Sequence, residues 1–449
     1  MLNIGFIFPS SEYLFDPFKG DPHTHFQILT VLESHFGNKH NLTLIDLRGI
    51  KKEFALYHIP ECDVYLHSVY TLDYNEQLSI VKNLRDRYPK AKHIAGGPHV
   101  NVFQEECLKT FDALILGDGD ETIIRVITDI MNLKLKKIYR HEGVPVNINK
   151  YHYPWRKYLP ESAVAKRGLM ALKNRKGLEK LLSTTVLFSR GCMHSCSFCS
   201  MPHIKVDNLG VRFRTPELIE SEIEYLKRDY HMEGINLLDE IGIPVSRNKA
   251  IPHLEAIGRT GIVWRGQCRV DGITPETAEM ARESGCIALG MGVESVSQRS
   301  LDMINKKMKV ERAREAISLL KKNGIEARVY MIIGLPGEPE DIVEQTWSFI
   351  KETGPELVYL SLFAVRPGTD VYENPERYGI KSINKDWDNT MHLFNRFDDE
   401  MPKLTFEYKE QAPWGKGFNS ERIINNFLEL QSRIKELNLN TQYEDTEKS

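Results

Sequence analysis

Three of the seven cysteines of this chain stand close together, directly after a run of apolar and β-branched residues. They are Cys192, Cys196 and Cys199, in the order C-x3-C-x2-C, and the preceding run from Thr184 to Phe188 is typical of a buried strand. A strand that ends in a loop with three thiolates predicts a metal site. Structural zinc normally has four protein ligands. An iron-sulfur cube held by three cysteines instead leaves one iron free for a substrate or cofactor.

The same loop carries an aromatic residue, Phe198, directly before its third cysteine. In this feature and in its cysteine spacing the sequence resembles the radical S-adenosylmethionine superfamily. The resemblance implies a [4Fe-4S] cluster on the three cysteines, whose open iron binds S-adenosylmethionine. One electron then cleaves the sulfonium of this cofactor to a 5′-deoxyadenosyl radical. Two other interpretations stay open: a zinc site completed by His194 or a distant histidine, and buried thiols without a metal.

The composition is that of an ordinary globular protein with a net charge of −3, and it shows no basic excess that would predict nucleic-acid binding. No apolar stretch reaches the length needed to span a bilayer, and the first residues lack the basic segment of a signal peptide. The few cysteines do not predict a disulfide framework. We therefore expect a cytoplasmic protein without a membrane span.

Residues 1–140 alternate between strand-like and helix-like patterns. Predicted strands are Asn3–Phe8, Leu42–Leu47, Val64–Val69, His93–Ala95 and Ala113–Leu116, and predicted helices lie near His25–Phe36 and Glu76–Tyr88. This alternation predicts a doubly wound, Rossmann-like parallel sheet with helices on both faces. Ligands of such sheets bind at the carboxyl ends of the strands.

Three loops at those predicted strand ends carry candidate ligand-binding residues, namely Ser68, Tyr70 and Thr71, then Gly96 and Gly97, then Gly117 and Gly119. Glycine pairs let a backbone approach a ligand closely, although they also make tight turns. Together the loops resemble the cobalamin-binding domain that precedes the radical core in one branch of the superfamily. There the second loop carries Gly-Gly-Pro-His, as at 96–99, and the third carries Gly-Glu-Gly-Glu, where this chain has Gly-Asp-Gly-Asp.

The resemblance implies bound cobalamin without a histidine ligand to cobalt. Asp21-Pro22-His23 begins like the cobalt-ligating signature Asp-x-His-x-x-Gly, but the properly spaced glycine is absent. The alternative is a domain that keeps the fold and has lost the cofactor or binds another ligand.

Residues 141–183 mix proline, aromatic and basic residues without a period, and we interpret them as a linker. The basic run within Lys166–Lys180 lacks the interleaved aromatics of a nucleic-acid site, so a solvated face is the better interpretation.

Residues 184–375 alternate again. After the strand at Thr184–Phe188, predicted strands are Gly234–Leu238, Ile262–Arg269, Ala288–Gly292, Ala327–Ile333 and Leu357–Val365. Predicted helices are Pro216–Tyr230, Lys249–Arg259, Pro275–Ser284, Ser297–Ile304, Val310–Asn323 and Glu338–Thr353. The order predicts a partial TIM-type (β/α)6 barrel, in which every loop that follows a strand lies at the same mouth as the cysteines.

The loops at that mouth are polar, and their candidate cofactor-binding residues are Asp239, Glu240, Gln267, Arg269, Glu294 and Ser295. Their order resembles the family: Arg-x-Asp after the third strand, Gly-Val-Glu-Ser after the fourth, Gly-x-Pro-Gly-Glu after the fifth and Pro-Gly-Thr after the sixth. The resemblance implies that Arg269, Glu294 and Ser295 contact S-adenosylmethionine, with Phe198 beside its adenine. Capping or ion pairing is the simpler explanation of each residue alone.

Residues 376–449 predict a mainly helical extension with a helix at Glu421–Leu437. Its aromatics could line a substrate cavity, but we expect them to cover the bottom of the barrel; they are Trp387, Phe394, Phe397, Phe406, Trp414 and Phe418.

These features predict a radical S-adenosylmethionine enzyme. The resemblance implies a cobalamin-dependent methyltransferase that methylates an unactivated carbon or phosphorus of a small-molecule or biosynthetic substrate. It also implies a flavodoxin- or ferredoxin-type electron donor. An unactivated C–H bond offers no acidic proton and no electrophile, so cofactor-derived radical chemistry suits it. The alternatives are a non-methylating radical reaction beside a vestigial cobalamin domain, and a corrinoid- and metal-binding sensor without catalysis.

Overall fold

The computed structural model describes residues 1–14, 16–141, 146–170, 177–200, 211–390 and 402–440, which belong to two compact units. The first unit comprises Met1–Val164 and Met201–Arg212, and the second comprises Ala165–Ser200 and Phe213–Ser449. Part of the predicted basic run, 171–176, and the tail aromatics Phe394 and Phe397 lie outside the described residues. The four-part division drawn from the sequence stays a proposal.

The first unit is a parallel sheet flanked by helices. Its strands are β1 (Asn3–Phe8), β2 (Asn41–Asp46), β3 (Val64–Ser68), β4 (Lys92–Gly96), β5 (Ala113–Leu116) and β6 (Ile138–Arg140). Its helices are α1 (His23–Phe36), α2 (Tyr74–Arg87), α3 (Pro98–Val102), α4 (Gln104–Cys107), α5 (Asp120–Met131) and α6 (Glu161–Val164). The strand order is β2-β1-β3-β4-β5-β6, and all neighbouring pairs are parallel. The predicted doubly wound sheet is confirmed.

Strand β5 illustrates why a continuous apolar run in this sequence predicts a buried strand. All four of its residues are buried, because helices pack on both faces of a parallel sheet. Leu114 and Leu116 pack in one cluster with Val81 and Phe111. Burial of this kind contributes about 25 cal/mol for each Å² of apolar surface removed from water.

Among the described residues of the first unit, five histidines are buried, namely His25, His40, His67, His93 and His99. The imidazole Nε2 of His25 donates to the carbonyl of Ile7 at 3.0 Å. His67 bridges Gln77, at 2.8 Å, and the ring of His93, at 3.1 Å. Burial lowers the pKa of His25, His67 and His99 to about 4 and that of His93 to about 2. These rings are therefore neutral in the folded protein at pH 7.

Acidification is expected to destabilise the first unit through these rings. A folded-state pKa below the unfolded value of 6.5 gives stability that is complete above about 6.5 and is lost as the pH falls toward the folded value. Between pH 7 and pH 5 the free energy of unfolding should fall by roughly 2 kcal/mol for each buried histidine. Urea unfolding at the two pH values measures this loss.

The double variant His67→Leu with His93→Phe is the matched comparison. It removes the contribution of the histidine pair to the pH dependence of stability and keeps that of buried carboxyls such as Asp73. It should lose distinctly less stability over the same pH range. Equal losses in the variant and in the native protein would contradict the assignment.

The second unit is built on a sheet of seven strands. The strands that follow the first unit are β7 (Lys166–Arg167), β8 (Leu182–Val186), β9 (Ser189–Arg190), β10 (Arg212–Phe213), β11 (Gly234–Leu237), β12 (Val263–Cys268), β13 (Cys286–Glu294), β14 (Glu326–Ile333), β15 (Leu357–Leu362), β16 (Ile380–Ile383), β17 (Phe406–Tyr408), β18 (Gln411–Ala412) and β19 (Gly415–Lys416). The sheet order is β15-β14-β13-β12-β11-β8-β7. Only β7 is antiparallel to its neighbour, so six parallel strands form the predicted partial barrel.

The helices of the second unit alternate with these strands. They are α7 (Pro216–Tyr230), α8 (Arg247–Arg259), α9 (Pro275–Glu283), α10 (Gln298–Met303), α11 (Val310–Lys322), α12 (Ile342–Thr353), α13 (Asp370–Glu373), α14 (Trp387–Thr390) and α15 (Ser420–Glu436). Helix α12 begins at Ile342 rather than at the predicted Glu338. The Glu338 carboxylate instead accepts hydrogen bonds from the amides of Gly334 and Leu335 at 2.9 and 3.0 Å, which holds this segment as a loop.

Met170 lies against the amino-terminal ends of the barrel strands. Its amide donates to Asn236 Oδ1 at 2.8 Å, and its carbonyl accepts from Arg328 at 3.0 Å. Arg328 also pairs with buried Glu326 at 3.0 Å. The segment that precedes β8 thus packs where the sequence placed the tail aromatics.

The part of the tail around Phe406 packs against the opposite ends of the strands, so the predicted location at the barrel bottom is wrong for this aromatic residue. The hydroxyl of Tyr408 donates to the carbonyl of Gly334 at 2.8 Å, after β14, and Thr405 accepts from the amide of Val365 at 2.7 Å, after β15. The ring of Phe406 lies 5.1 Å from that of Phe363. The sequence contained the aromatics but no signal for which end they cover.

Candidate active site

The loop that carries the three cysteines follows β8 and is held by backbone hydrogen bonds. The amide of Cys199 donates to the carbonyl of Cys196 at 3.1 Å, and the amide of Ser197 donates to the carbonyl of Ile304 at 2.8 Å. Asn305 Nδ2 donates to the carbonyl of Ser195 at 2.8 Å. All three cysteines are free thiols, with Cys196 buried and Cys192 and Cys199 half-buried. The turn after α10 therefore fixes the shape of the loop.

Asp239 supports the junction between β8 and the cysteine loop. Its carboxylate accepts from the amide of Phe188 at 2.7 Å, and its own carbonyl accepts from Gln267 Nε2 at 3.1 Å. Burial raises the pKa of Asp239 to about 7, against the lowering effect of its hydrogen bonds to Ser189 and Phe188. Glu240, the next residue, is exposed. The predicted cofactor contacts of Asp239, Glu240 and Gln267 remain proposals.

Arg269 brings a guanidinium to the cysteine loop. Its Nη1 lies 3.8 Å from the sulfur of Cys196, and its Nη2 donates to Asp271 at 3.0 Å and to the carbonyl of Lys306 at 2.8 Å. The guanidinium therefore places a fixed positive charge beside the sulfur of Cys196. Burial raises the pKa of the nearby Cys192 thiol, and the amide of His194 and the charge of Arg269 oppose that rise.

A second buried charge pair lies beside Phe198. The ammonium of Lys306 donates to Glu294 at 2.6 Å, with the two side chains 7% and 11% exposed. The same ammonium lies 5.9 Å from the centre of the Phe198 ring. Ser295 accepts from the amide of Ser297 at 3.1 Å. The Lys306 ammonium is therefore close to both Glu294 and Phe198.

Backbone geometry makes room for this pair. Glu294 has a positive φ of 64°, a conformation that side-chain-bearing residues rarely adopt. A Cβ atom at Gly292 would lie 2.4 Å from the Glu294 carboxylate and 2.9 Å from the Lys306 ammonium. A side chain at position 292 of the predicted Gly-Val-Glu-Ser loop would therefore displace the ends of these two side chains.

Lys306 and Arg366 are site residues that the sequence did not identify. Lys306 lies in a run of polar residues after α10 that matches no motif. Arg366 belongs to the loop after β15 that carries the predicted Pro-Gly-Thr. Burial lowers the pKa of Arg366, and the charges of Cys199 and Tyr359 oppose this effect. The cysteine loop therefore has a second guanidinium near it.

The donor set fits an iron-sulfur cluster bound by three thiolates. Each thiolate of such a cube binds a different iron, so the three sulfurs need not converge on one point. Within the described residues, no three or more histidine, cysteine, aspartate or glutamate side chains converge as ligands of a single ion. His194 Nε2 is buried and has no hydrogen-bond partner in the described part of the chain, and burial lowers the pKa of His194 to about 4. The two arginines offset the negative charge of the thiolates.

The glycine loops of the first unit come together at the carboxyl ends of β3, β4 and β5. Gly97 has a φ of 102°, and a Cβ there would lie 2.8 Å from the backbone of Val69. The amide of Val69 donates to the carbonyl of Gly96 at 2.8 Å, so the second loop rests directly on the first. Gly117 has a φ of 75°, and its amide donates to Asn101 at 3.0 Å. Glycine allows the backbone conformations of these turns, and because it has no side chain it leaves the backbone accessible at the edge of the sheet.

Side chains of the first loop differ in exposure. Ser68 is buried, and Thr71 is hydrogen-bonded to the His99 ring at 3.2 Å. Tyr70 is 45% exposed, and its amide donates to Asp73 at 2.9 Å. Ser68, Tyr70, Thr71, Gly96 and Gly97 are thus brought together by adjacent strands.

The loop after β1 was missed by the sequence reasoning. The strand order reverses between β1 and β3, and open α/β sheets bind ligands at such a switch point. Ser10 donates to the Glu76 carboxylate through both its amide and its hydroxyl, each at 2.8 Å. The consecutive serines directly after β1 were the available signal.

Comparison with known proteins gives the same assignment for the cysteine-bearing region. Residues 186–350 match the Radical SAM superfamily. The anaerobic magnesium-protoporphyrin IX monomethyl ester cyclase of Rubrivivax gelatinosus is 30% identical over 190 residues, which cover 41% of this chain and 34% of the cyclase. The match thus spans about a third of that relative. An uncharacterized methyltransferase of Pyrococcus horikoshii is 26% identical over 351 residues, covering 75% of this chain and 73% of that protein.

A solved structure shares the fold of most of the chain. TsrM from Kitasatospora setae, a radical S-adenosylmethionine methyltransferase solved with cobalamin and a [4Fe-4S] cluster bound, aligns with a TM-score of 0.61 at 16% identity. The alignment covers 82% of this chain and 76% of TsrM. The predicted superfamily is confirmed for residues 186–350, and the predicted combination of parallel sheet and partial barrel is confirmed as the fold.

Proposed function

The chain belongs to the radical S-adenosylmethionine superfamily and has the fold of its cobalamin-dependent members, and from this premise we propose that it is a cobalamin-dependent methyltransferase. Its substrate would be a small molecule or biosynthetic intermediate with an unactivated carbon or a phosphorus to be methylated. The observation that supports the proposal is that one chain contains both a loop of three cysteines beside Arg269 and a parallel sheet with glycine-containing loops at its carboxyl edge. When bound, the cluster supplies the electron that cleaves S-adenosylmethionine, and the corrinoid supplies the methyl group.

The residues of the barrel mouth have separable roles in this proposal. Cys192, Cys196 and Cys199 hold the cluster, and the positive charge of Arg269 lies beside the sulfur of Cys196. The charges of Glu294 and Lys306 are pre-positioned for the polar ends of S-adenosylmethionine, while Phe198 offers an aromatic face to its adenine. Ser295, Gln267, Asp239 and Glu240 complete the proposed set. Ser68, Tyr70, Thr71, Gly96, Gly97, Gly117 and Gly119 are proposed to contact the corrinoid.

We further propose a flavodoxin- or ferredoxin-type electron donor and a cytoplasmic location, because an iron-sulfur cluster of this kind needs a reductant and a reducing compartment. Within the described residues no helix is both long and apolar enough to cross a membrane.

The proposal predicts two signals from protein reconstituted without oxygen with iron, sulfide and hydroxocobalamin. Corrin absorption bands should remain after desalting, and dithionite with S-adenosylmethionine should release 5′-deoxyadenosine. Transfer of an isotopically labelled methyl group to a candidate substrate then measures the reaction itself. Absence of corrin bands would defeat the methyltransferase assignment.

A second candidate function is a non-methylating radical reaction, which the 30% identity to a cyclase favours. It predicts release of 5′-deoxyadenosine together with a substrate product that carries no labelled methyl group. A sensor without catalysis would release no 5′-deoxyadenosine at all.

A further inference from the structure

Arg212 of the first unit has hydrogen-bond donors for which the described residues provide no acceptor. Its side chain is only 10% exposed, and its Nη1 pairs with the carboxylate of Asp118, which is 4% exposed. Its Nε and Nη2 atoms are buried and find no partner in the described part of the chain. Buried donors of a charged group are rarely left unpaired, because they have lost water without gaining an acceptor. The acceptor is therefore expected to come from a bound molecule.

The position of Arg212 identifies where that molecule would bind. Asp118 lies between Gly117 and Gly119, in the loop that follows β5. This loop stands at the carboxyl edge of the sheet, next to the strand that ends at Gly96. Ligands of parallel open sheets bind at this edge. The unpaired donors thus lie at the rim of the proposed corrinoid site.

The charges around Arg212 select the kind of acceptor. Asp118 already neutralises the guanidinium, and Asp120 of the same loop is also buried, at 2% exposure. An anion such as a phosphate would meet these carboxylates and be repelled by them. A carboxamide avoids this repulsion, since its carbonyl oxygen accepts from the guanidinium and its NH₂ group is itself a donor suited to carboxylate oxygens. A carbonyl oxygen has two lone pairs, so it can accept from both Nε and Nη2 when these two donors converge on it.

We propose that Arg212 clamps a side-chain carboxamide at the periphery of the bound corrin ring, with Asp118 holding the guanidinium in position. This inference rests on the proposed cobalamin-dependent function. Arg212 follows the cysteine loop in sequence and belongs to none of the motifs. Its proposed role is to position the corrin ring.

The test is the binding of two corrinoids to the Arg212→Lys variant. Lysine keeps a cation for Asp118 but removes the two-donor edge, so the fold should survive. Hydroxocobalamin carries both the ring carboxamides and a nucleotide phosphate, whereas cobinamide keeps the carboxamides and lacks the nucleotide. Dissociation constants come from absorbance titration of the full-length protein. Arg140→Lys, at an exposed arginine of β6, is the matched control.

Both corrinoids are expected to bind the Arg212→Lys variant about tenfold more weakly, and by the same factor, while the control is unchanged. Weakening of hydroxocobalamin alone would assign the donors to the nucleotide phosphate and overturn the carboxamide clamp. Unchanged binding of both corrinoids would overturn any ligand role of Arg212. Failure of the native protein to bind either corrinoid would instead overturn the proposed function, and this inference with it.

Discussion

Replacing Cys196 with alanine should remove the cluster and abolish cleavage of S-adenosylmethionine while leaving the first unit able to bind a corrinoid. Cys196 is the buried cysteine of the three, and its sulfur lies 3.8 Å from the Arg269 guanidinium. Its replacement therefore removes the cluster ligand that is enclosed by the protein. Iron content should fall from about four atoms per chain to a small residue, since two cysteines do not hold a cube. Iron analysis, the visible spectrum and release of 5′-deoxyadenosine measure the three expectations.

Cys268→Ala is the matched control, because it removes a cysteine from the end of β12 in the same unit. Cys268 is buried, and burial raises the pKa of its thiol to about 12, so it is a poor source of thiolate. Its variant should keep its iron. A Cys196→Ala protein that still released 5′-deoxyadenosine would remove the cluster from the reaction.

Breaking the pair of Lys306 and Glu294 should destabilise the second unit strongly. Lys306→Met leaves the Glu294 carboxylate buried without its cation, and removal of one partner of a buried pair typically costs about 3–5 kcal/mol. The positive φ of Glu294 adds strain that the pair helps to hold in place. Chemical unfolding of the purified apoprotein measures the change in the free energy of unfolding.

The double variant Glu294→Gln with Lys306→Met separates the charge from the packing. It removes both charges and should recover most of the lost stability, so the two substitutions should be strongly non-additive. Equal destabilisation by the single and double variants would show that packing of the lysine chain, and not its charge, is what matters.

Many elements were predictable because local signals and global fold agree. Helix α7 has the predicted bounds Pro216–Tyr230, with proline in its first turn after Thr215, and β5 has the predicted bounds Ala113–Leu116. Helix α12 shows the opposite case. Its helical pattern extends back to Glu338, but buried hydrogen bonds from that carboxylate to Gly334 and Leu335 keep the loop from becoming helix.

The sequence by itself determined the three-cysteine loop, the two runs of parallel strands and the glycine loops at their ends, because spacing and periodicity are local properties of the chain. Only the tertiary structure showed that Lys306 pairs with Glu294, that Arg212 meets Asp118 across 94 residues, and that Met170 meets Arg328 across 158. Such pairings depend on where distant segments pass each other and on the burial that makes an unpaired charge costly. No local pattern in the chain encodes them.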